Sequence, residues 1–276
     1  MTSLTRKFRG FTLIELVVVI LVVGILSLVV AKALRDPVLA YIGVEKRTRL
    51  VDIAQTALQR MTREVRLALP NSIRISGSTL EFLRTIDGGR YRDQGANRLK
   101  FNKQSDTFEF LGPLNQCGSI VTGGASQSAC LTAPRSAYCM VVYNTGQSGA
   151  DAYAGDNIAA ITGIDCGAST MDFNLSPVAN FPNKSPHQRF FVVDTPVSFI
   201  CNTVTGEIRR YDGYTIGGAV SGTGNLLVDQ VTACSFAYDP GNDTRSGMVT
   251  ISITITDTSL GQSVTLLQQA HVDNQP

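Results

Sequence analysis

One carboxylate, Glu15, stands inside an apolar run that reads "FTLIELVVVILVVGILSLVVA" from Phe11 to Ala31. A charge near the centre of a bilayer-crossing helix costs about 2.5 to 3.5 kcal/mol on insertion scales, so a carboxylate placed there needs a partner or a task. Other residues capable of chemistry are sparse. His187 and His271 share no metal-ligand or triad spacing with any Ser, Asp or Cys. Glycines 217, 218, 222 and 224 are followed by no Lys-Ser/Thr pair, so a phosphate cradle is excluded. Asp239, Asn242 and Asp243 offer oxygens of the kind calcium takes, yet turn chemistry accounts for the same residues. Arg63, Arg66 and Arg74 form a possible anion set that an ordinary exposed face explains as well. Tyr138, Tyr143 and Tyr153 are scattered aromatics of the kind that usually pack. No catalytic residue, metal site or cofactor motif emerges, and the chain is expected not to be an enzyme.

Composition narrows the class. The chain has 276 residues, 43% of them hydrophobic and 17% charged, which is enough to fold and bury a core. Of the 24 Lys and Arg, three (Arg6, Lys7, Arg9) precede the apolar run, leaving a body that is nearly neutral against 22 Asp and Glu. A neutral body implies no nucleic-acid partner. All six cysteines (Cys117, Cys130, Cys139, Cys166, Cys201, Cys234) follow the run and none forms a CxxC pair. Disulfides in an oxidising compartment such as a periplasm are expected. Neighbour pairing, Cys117 with Cys130, Cys139 with Cys166 and Cys201 with Cys234, is the working arrangement among those that six cysteines allow.

Residues 11–31 are long enough to span a bilayer as a helix. A secretory signal cut near Ala31 and Ala33 would have an over-long core with a purposeless carboxylate, and a plain anchor also leaves Glu15 unexplained. "RKFRG" followed by "FTLIELVVVILVVGIL" resembles the class III signal of type IV prepilins and type II secretion pseudopilins. The resemblance implies that prepilin peptidase cuts between Gly10 and Phe11 and that Phe11 becomes N-methylated. It further implies that Glu15 neutralises the new amino group of a neighbouring subunit during assembly.

Beyond the run, Leu50, Ile53, Ala54, Ala57, Leu58, Met61, Val65 and Ala68 recur at helical steps, with Glu45, Lys46, Arg49, Asp52, Arg60, Arg63 and Arg66 opposite. Pro37 predicts a kink or short break, and Pro70 predicts the helix end at Leu69. The remainder reads as β structure: 78–85, 97–102, 137–144, 189–202 and 206–214, then a terminal hairpin of "MVTISITIT" and "SVTLLQQAHV". Residues 123–130, 146–157 and 216–225 read as glycine- and serine-rich loops. The expected fold is therefore α+β: a long N-terminal helix, its first half membrane-spanning, packed on a C-terminal antiparallel β-sheet head like that of type IV pilins. Its parts are a leader (1–10), a membrane or filament-core half (11–31), a periplasmic amphipathic half (32–69) and a head (70–276).

Three stretches of the head, "LQRMTREVRLALPNSIRISG", "LEFLRTIDGGRYR" and the ending from Arg245, resemble the O-type minor pilins of the MSHA (mannose-sensitive haemagglutinin) pilus and, more loosely, J-type minor pseudopilins and W-type minor pilins. The resemblance implies a minor pilin of the inner membrane, head in the periplasm, that helps prime or cap a filament. Its implied partners are prepilin peptidase, other minor and major pilins, the inner-membrane pilus assembly platform and membrane lipid. A secretion pseudopilin and an adhesin-like tip module are the alternatives.

Overall fold

The computed structural model describes residues 10–132, 135–242, 245–259 and 261–276. Its first element, α1, runs Leu13–Val65. At 1.5 Å per residue its 53 residues extend about 80 Å. The chain divides into two compact units, one ending at Arg49 and one spanning Leu50–Pro276.

In the first unit the helix side chains face outward almost without exception; Leu13 and Leu28, for example, are 82% and 75% exposed. Pro37 lies inside α1 and the helix continues through it, where a break was possible. A proline removes one backbone donor, and the turns on either side retain theirs.

In the second unit the apolar stripe meets a core. Leu50, Ala54, Ala57, Leu58, Met61 and Val65 are buried, while Asp52, Arg60, Arg63 and Arg66 remain exposed. The helix stops at Val65, short of Leu69. Leu67 N–H and Ala68 N–H tighten onto Glu64 and Val65 carbonyls, after which Leu69 N–H donates to Leu83 O and Thr85 N–H to Leu67 O. Residues 67–69 thus exchange helical partners for strand partners.

The strands are β1 (Arg74–Ser76), β2 (Thr79–Tyr91), β3 (Ser105–Leu111), β4 (Cys139–Val142), β5 (Ile158–Asp165), β6 (Thr170–Asn174), β7 (Arg189–Asn202), β8 (Glu207–Asp212), β9 (Asn225–Val228), β10 (Val231–Asp239), β11 (Gly247–Asp257) and β12 (Gln262–Val272). A short helix, α2 (Gln127–Thr132), precedes β4. β1 to β9 form one antiparallel sheet in the order β1-β2-β3-β6-β5-β4-β7-β8-β9, with β2 also paired to β7. That extra pairing closes β2, β3, β6, β5, β4 and β7 into a ring. Pro196 falls where β7 changes partners, between its half paired with β4 and its half paired with β8, so the missing donor interrupts no ladder on that side.

Two of the three buried clusters among the described residues follow from this topology. Around the ring, Tyr91, Phe108, Phe110, Phe173, Phe181 and Phe190 pack together, with Phe108 and Phe190 edge to face at 5.5 Å. The other core joins the buried stripe of α1, Leu80 and Phe82 of β2, Val197 and Phe199 of β7, and the second sheet, β10-β11-β12. The predicted alternation of β11 holds: Val249, Ile251, Ile253 and Ile255 are fully buried. β12 returns in register across all eleven of its residues, Gly247 opposite Val272 and Asp257 opposite Gln262.

The α+β architecture expected from the sequence, a long apolar N-terminal helix followed by an antiparallel β domain, is present. Three local expectations need correction. Residues 97–102 form no strand; Leu99 reaches the ring core from a turn, so its burial needs no ladder. Of residues 123–130, expected as loop, 127–130 lie in α2 (Gln127–Thr132). All six cysteines are in disulfides, but only Cys201–Cys234 follows the neighbour scheme; the other bridges are Cys117–Cys166 and Cys130–Cys139. Cys130 on α2 and Cys139 on β4 share one buried cluster, which brings their Cα atoms to 5.8 Å.

Candidate functional site

The sequence points first to the start of α1, where Gly10, Phe11 and Thr12 precede the helix in non-helical backbone. Nothing lies within 4 Å of the position a Cβ on Gly10 would occupy, and Phe11 is 75% exposed. Among the described residues, nothing therefore packs against Gly10 or covers the Phe11 side chain. Thr12 is the N-cap: its Oγ1 accepts from Glu15 N–H at 3.3 Å and its carbonyl accepts from Leu16 N–H. Glu15 occupies the first turn, where a negative charge also complements the helix dipole.

Thr-x-x-Glu is a capping-box spacing, a signal legible in the sequence that the membrane argument passed over. Glu15 is exposed and has no side-chain ion pair among the described residues. Its charge is accordingly available to a partner outside this chain. Downstream, the window of highest hydropathy in α1 averages 3.2 with none of it buried. Ser27, the one hydroxyl in this stretch after Thr12, donates to Val23 O at 2.7 Å and hides its polarity in the backbone. The leader residues 1–9, including Arg6, Lys7 and Arg9, lie outside the described residues.

In the head the other candidates fall apart. Arg63 on α1 and Arg66 just past its end are exposed, whereas Arg74 stacks 3.7 Å above the Tyr153 ring and pairs with Asp151 at 2.6 Å. Burial pushes the Tyr153 hydroxyl well above its ordinary range. His187 and His271 are both exposed, and of the two only His187 lines the cleft that Asp273 and Asn274 also line. Asp239 accepts from Gly241 N–H and pairs with Arg245, the geometry of a turn; Asp243 lies outside the described residues.

A charge cluster absent from the sequence reading ties the end of α1 to the sheet. Arg210 of β8, 7% exposed, donates to Glu64 of α1 and to Asp212, each at 2.5 Å, and Arg135 also reaches Asp212. Nearby, Arg84 is bidentate on the buried Asp194. The Asp194 hydrogen bond raises the Arg84 pKa. Burial alone would push Asp212 upward, but the hydrogen bond and charge of Arg210 outweigh it and hold the carboxyl below its ordinary range. Only the alternation of Arg and acidic residues in "EIRRYD" hints at this, and no spacing rule connects it to Glu64.

Comparison with known proteins identifies one motif. Residues 5–31 match the prokaryotic N-terminal methylation motif, which supports assignment to the type IV pilin and pseudopilin class and implies processing by prepilin peptidase and assembly with other pilins. With one apolar N-terminal helix, the match also supports single-pass membrane anchoring. No curated protein and no solved structure matches the chain.

Proposed function

We propose that the chain is a minor pilin of a type IV filament, of the MSHA-like kind its head resembles, and that it acts in priming the filament or its tip complex and not in catalysis. The observation that carries this reading is the start of α1: an unpacked Gly10 and an exposed Phe11, a capped helix beginning two residues later, and an exposed first-turn carboxylate heading an unburied apolar helix. Cleavage after Gly10 would create an ammonium on Phe11, four residues before Glu15. Two desolvated charges on neighbouring subunits become one pair when the helices dock in the right register.

A capping box, in which the Glu15 carboxylate would reach back to Thr12 N–H, is a structural role to separate from this one. Glutamine serves a capping box as well as glutamate does, but carries no charge. Glu15→Gln and Glu15→Leu should therefore both be inserted and both be cleaved after Gly10, and both should co-purify poorly with the other minor subunits. If Glu15→Gln assembles like the wild type while Glu15→Leu fails, Glu15 is a capping residue and the charge-pair account is wrong. Gly10→Glu should remain uncleaved. Deletion of the gene should remove surface fibres and leave enzyme secretion intact; the reverse outcome would make the chain a secretion pseudopilin.

A further inference from the structure

The head from Pro70 onward contains three lysines, Lys100, Lys103 and Lys184. Lys100 and Lys184, far apart in sequence, line one cleft of about 280 Å3 together with Asp93, Arg98, Leu99, Phe101 and Asn102. The β2–β3 connection supplies most of the wall and the connection before β7 supplies Lys184. Phe101 forms a fixed platform, its ring 5.6 Å from Tyr91 and 6.0 Å from Phe181, and the Lys184 ammonium stands 5.5 Å from its centroid. Lys100 is paired with Asp106 at 2.8 Å. Arg98 donates only to Gly95 O of its own loop, at 3.4 Å, and neither Arg98 nor Lys184 has an ion pair among the described residues. Lys103 lies exposed close by in sequence. On a body that is nearly neutral, cations gathered around one concavity are a specific arrangement.

We propose that this cleft binds a sulfated or phosphorylated sugar unit of an anionic polysaccharide. Arg98 and Lys184 are the donors for the oxyanion. Asp93 accepts from, and the Asn102 amide donates to, the hydroxyls that a sugar presents. Phe101 holds the Lys184 ammonium in place over its ring. A nucleic acid fits less well, because the Phe101 face that would stack a base is already taken by Lys184 and Asp93 would meet a phosphate backbone. The volume suits a single saccharide unit and not a track.

The test uses the full chain in detergent micelles at near-physiological salt, titrated calorimetrically with a heparin hexasaccharide, its desulfated form, glucose 6-phosphate and a thymidine oligonucleotide of matched charge. Saturable binding of the sulfated hexasaccharide or of glucose 6-phosphate is expected, and which of the two binds distinguishes sulfate from phosphate. Lys184→Gln and Arg98→Gln should each weaken binding about tenfold, the scale of one charge-assisted hydrogen bond. Lys184→Arg should retain it, and so should Arg245→Gln, which removes an exposed cation elsewhere. The proposal is overturned if neither anionic probe binds, if the desulfated form binds as tightly, if Lys184→Gln and Arg98→Gln bind like the wild type, or if the oligonucleotide matches the hexasaccharide.

Discussion

Removing the Arg210 guanidinium would leave Glu64 to the half-exposed Arg60 and Asp212 to the exposed Arg135, in a site where Arg210 itself is 7% exposed. Breaking a buried charge pair on one side leaves an uncompensated charge and costs about 3 to 5 kcal/mol. Because Glu64 and Asp212 retain some solvent contact, Arg210→Met should cost toward the lower end, read as a fall in the urea midpoint at an unchanged slope. Coupling Arg210→Met with Glu64→Leu should recover part of that loss. The same cluster sets an acid limit. Asp212 is held below its ordinary value of 3.8 in the folded protein, so its contribution is present above that value and is lost as pH falls through the lower folded pKa. Urea midpoints should change little through Asp212 from pH 7 to about 5 and fall below about 4. In an Asp212→Asn variant that acid fall should be shallower.

Among the elements, β11 and β12 show which features of sequence translate directly into structure. Strict alternation in "MVTISITIT" dictates which face is buried, and Ile253 and Ile255 are indeed fully enclosed. Ile253→Ala should cost about 2 to 5 kcal/mol, whereas Leu267→Ala on the 62%-exposed face of β12 should stay within about 0.5 kcal/mol. The ring was less legible. β5 and β6 are short and carry glycine, alanine and polar residues, so their strand character comes from the partners that flank them and not from propensity. Residues 97–102 show the converse, β-rich letters that end as a turn. At the start of α1 the methylation motif was recognisable by resemblance, while the Arg210 cluster depends on contacts that no local pattern encodes. The bridges were hidden for the same reason. Peptide mapping without reduction should recover Cys117–Cys166, Cys130–Cys139 and Cys201–Cys234. In the loop-entropy account the bridge spanning 49 residues contributes about 4 kcal/mol and the one spanning 9 about 2.5, so the Cys117→Ser/Cys166→Ser double variant should be the less stable of the two.

For the whole molecule, an unburied apolar helical segment in the first unit and a buried mixed core in the second require two solvents. The full chain should sediment with membranes after alkaline carbonate washing, and a chain beginning at Leu50, where the second compact unit begins, should remain in the supernatant. The closed ring also imposes an order in time. Leu80 of β2 pairs with Phe199 of β7, and Thr79 with Ile200, so β2 is synthesised long before the strand that flanks it along most of its length exists. At about 5 to 20 residues per second, an intervening stretch of more than a hundred residues takes roughly 5 to 20 seconds to emerge. During that interval Leu80, Phe82 and Leu83 face water or a chaperone, while α1 is already long enough to be held in the bilayer. Early membrane capture of α1 would therefore tether an unfinished head until β7 arrives to close the ring.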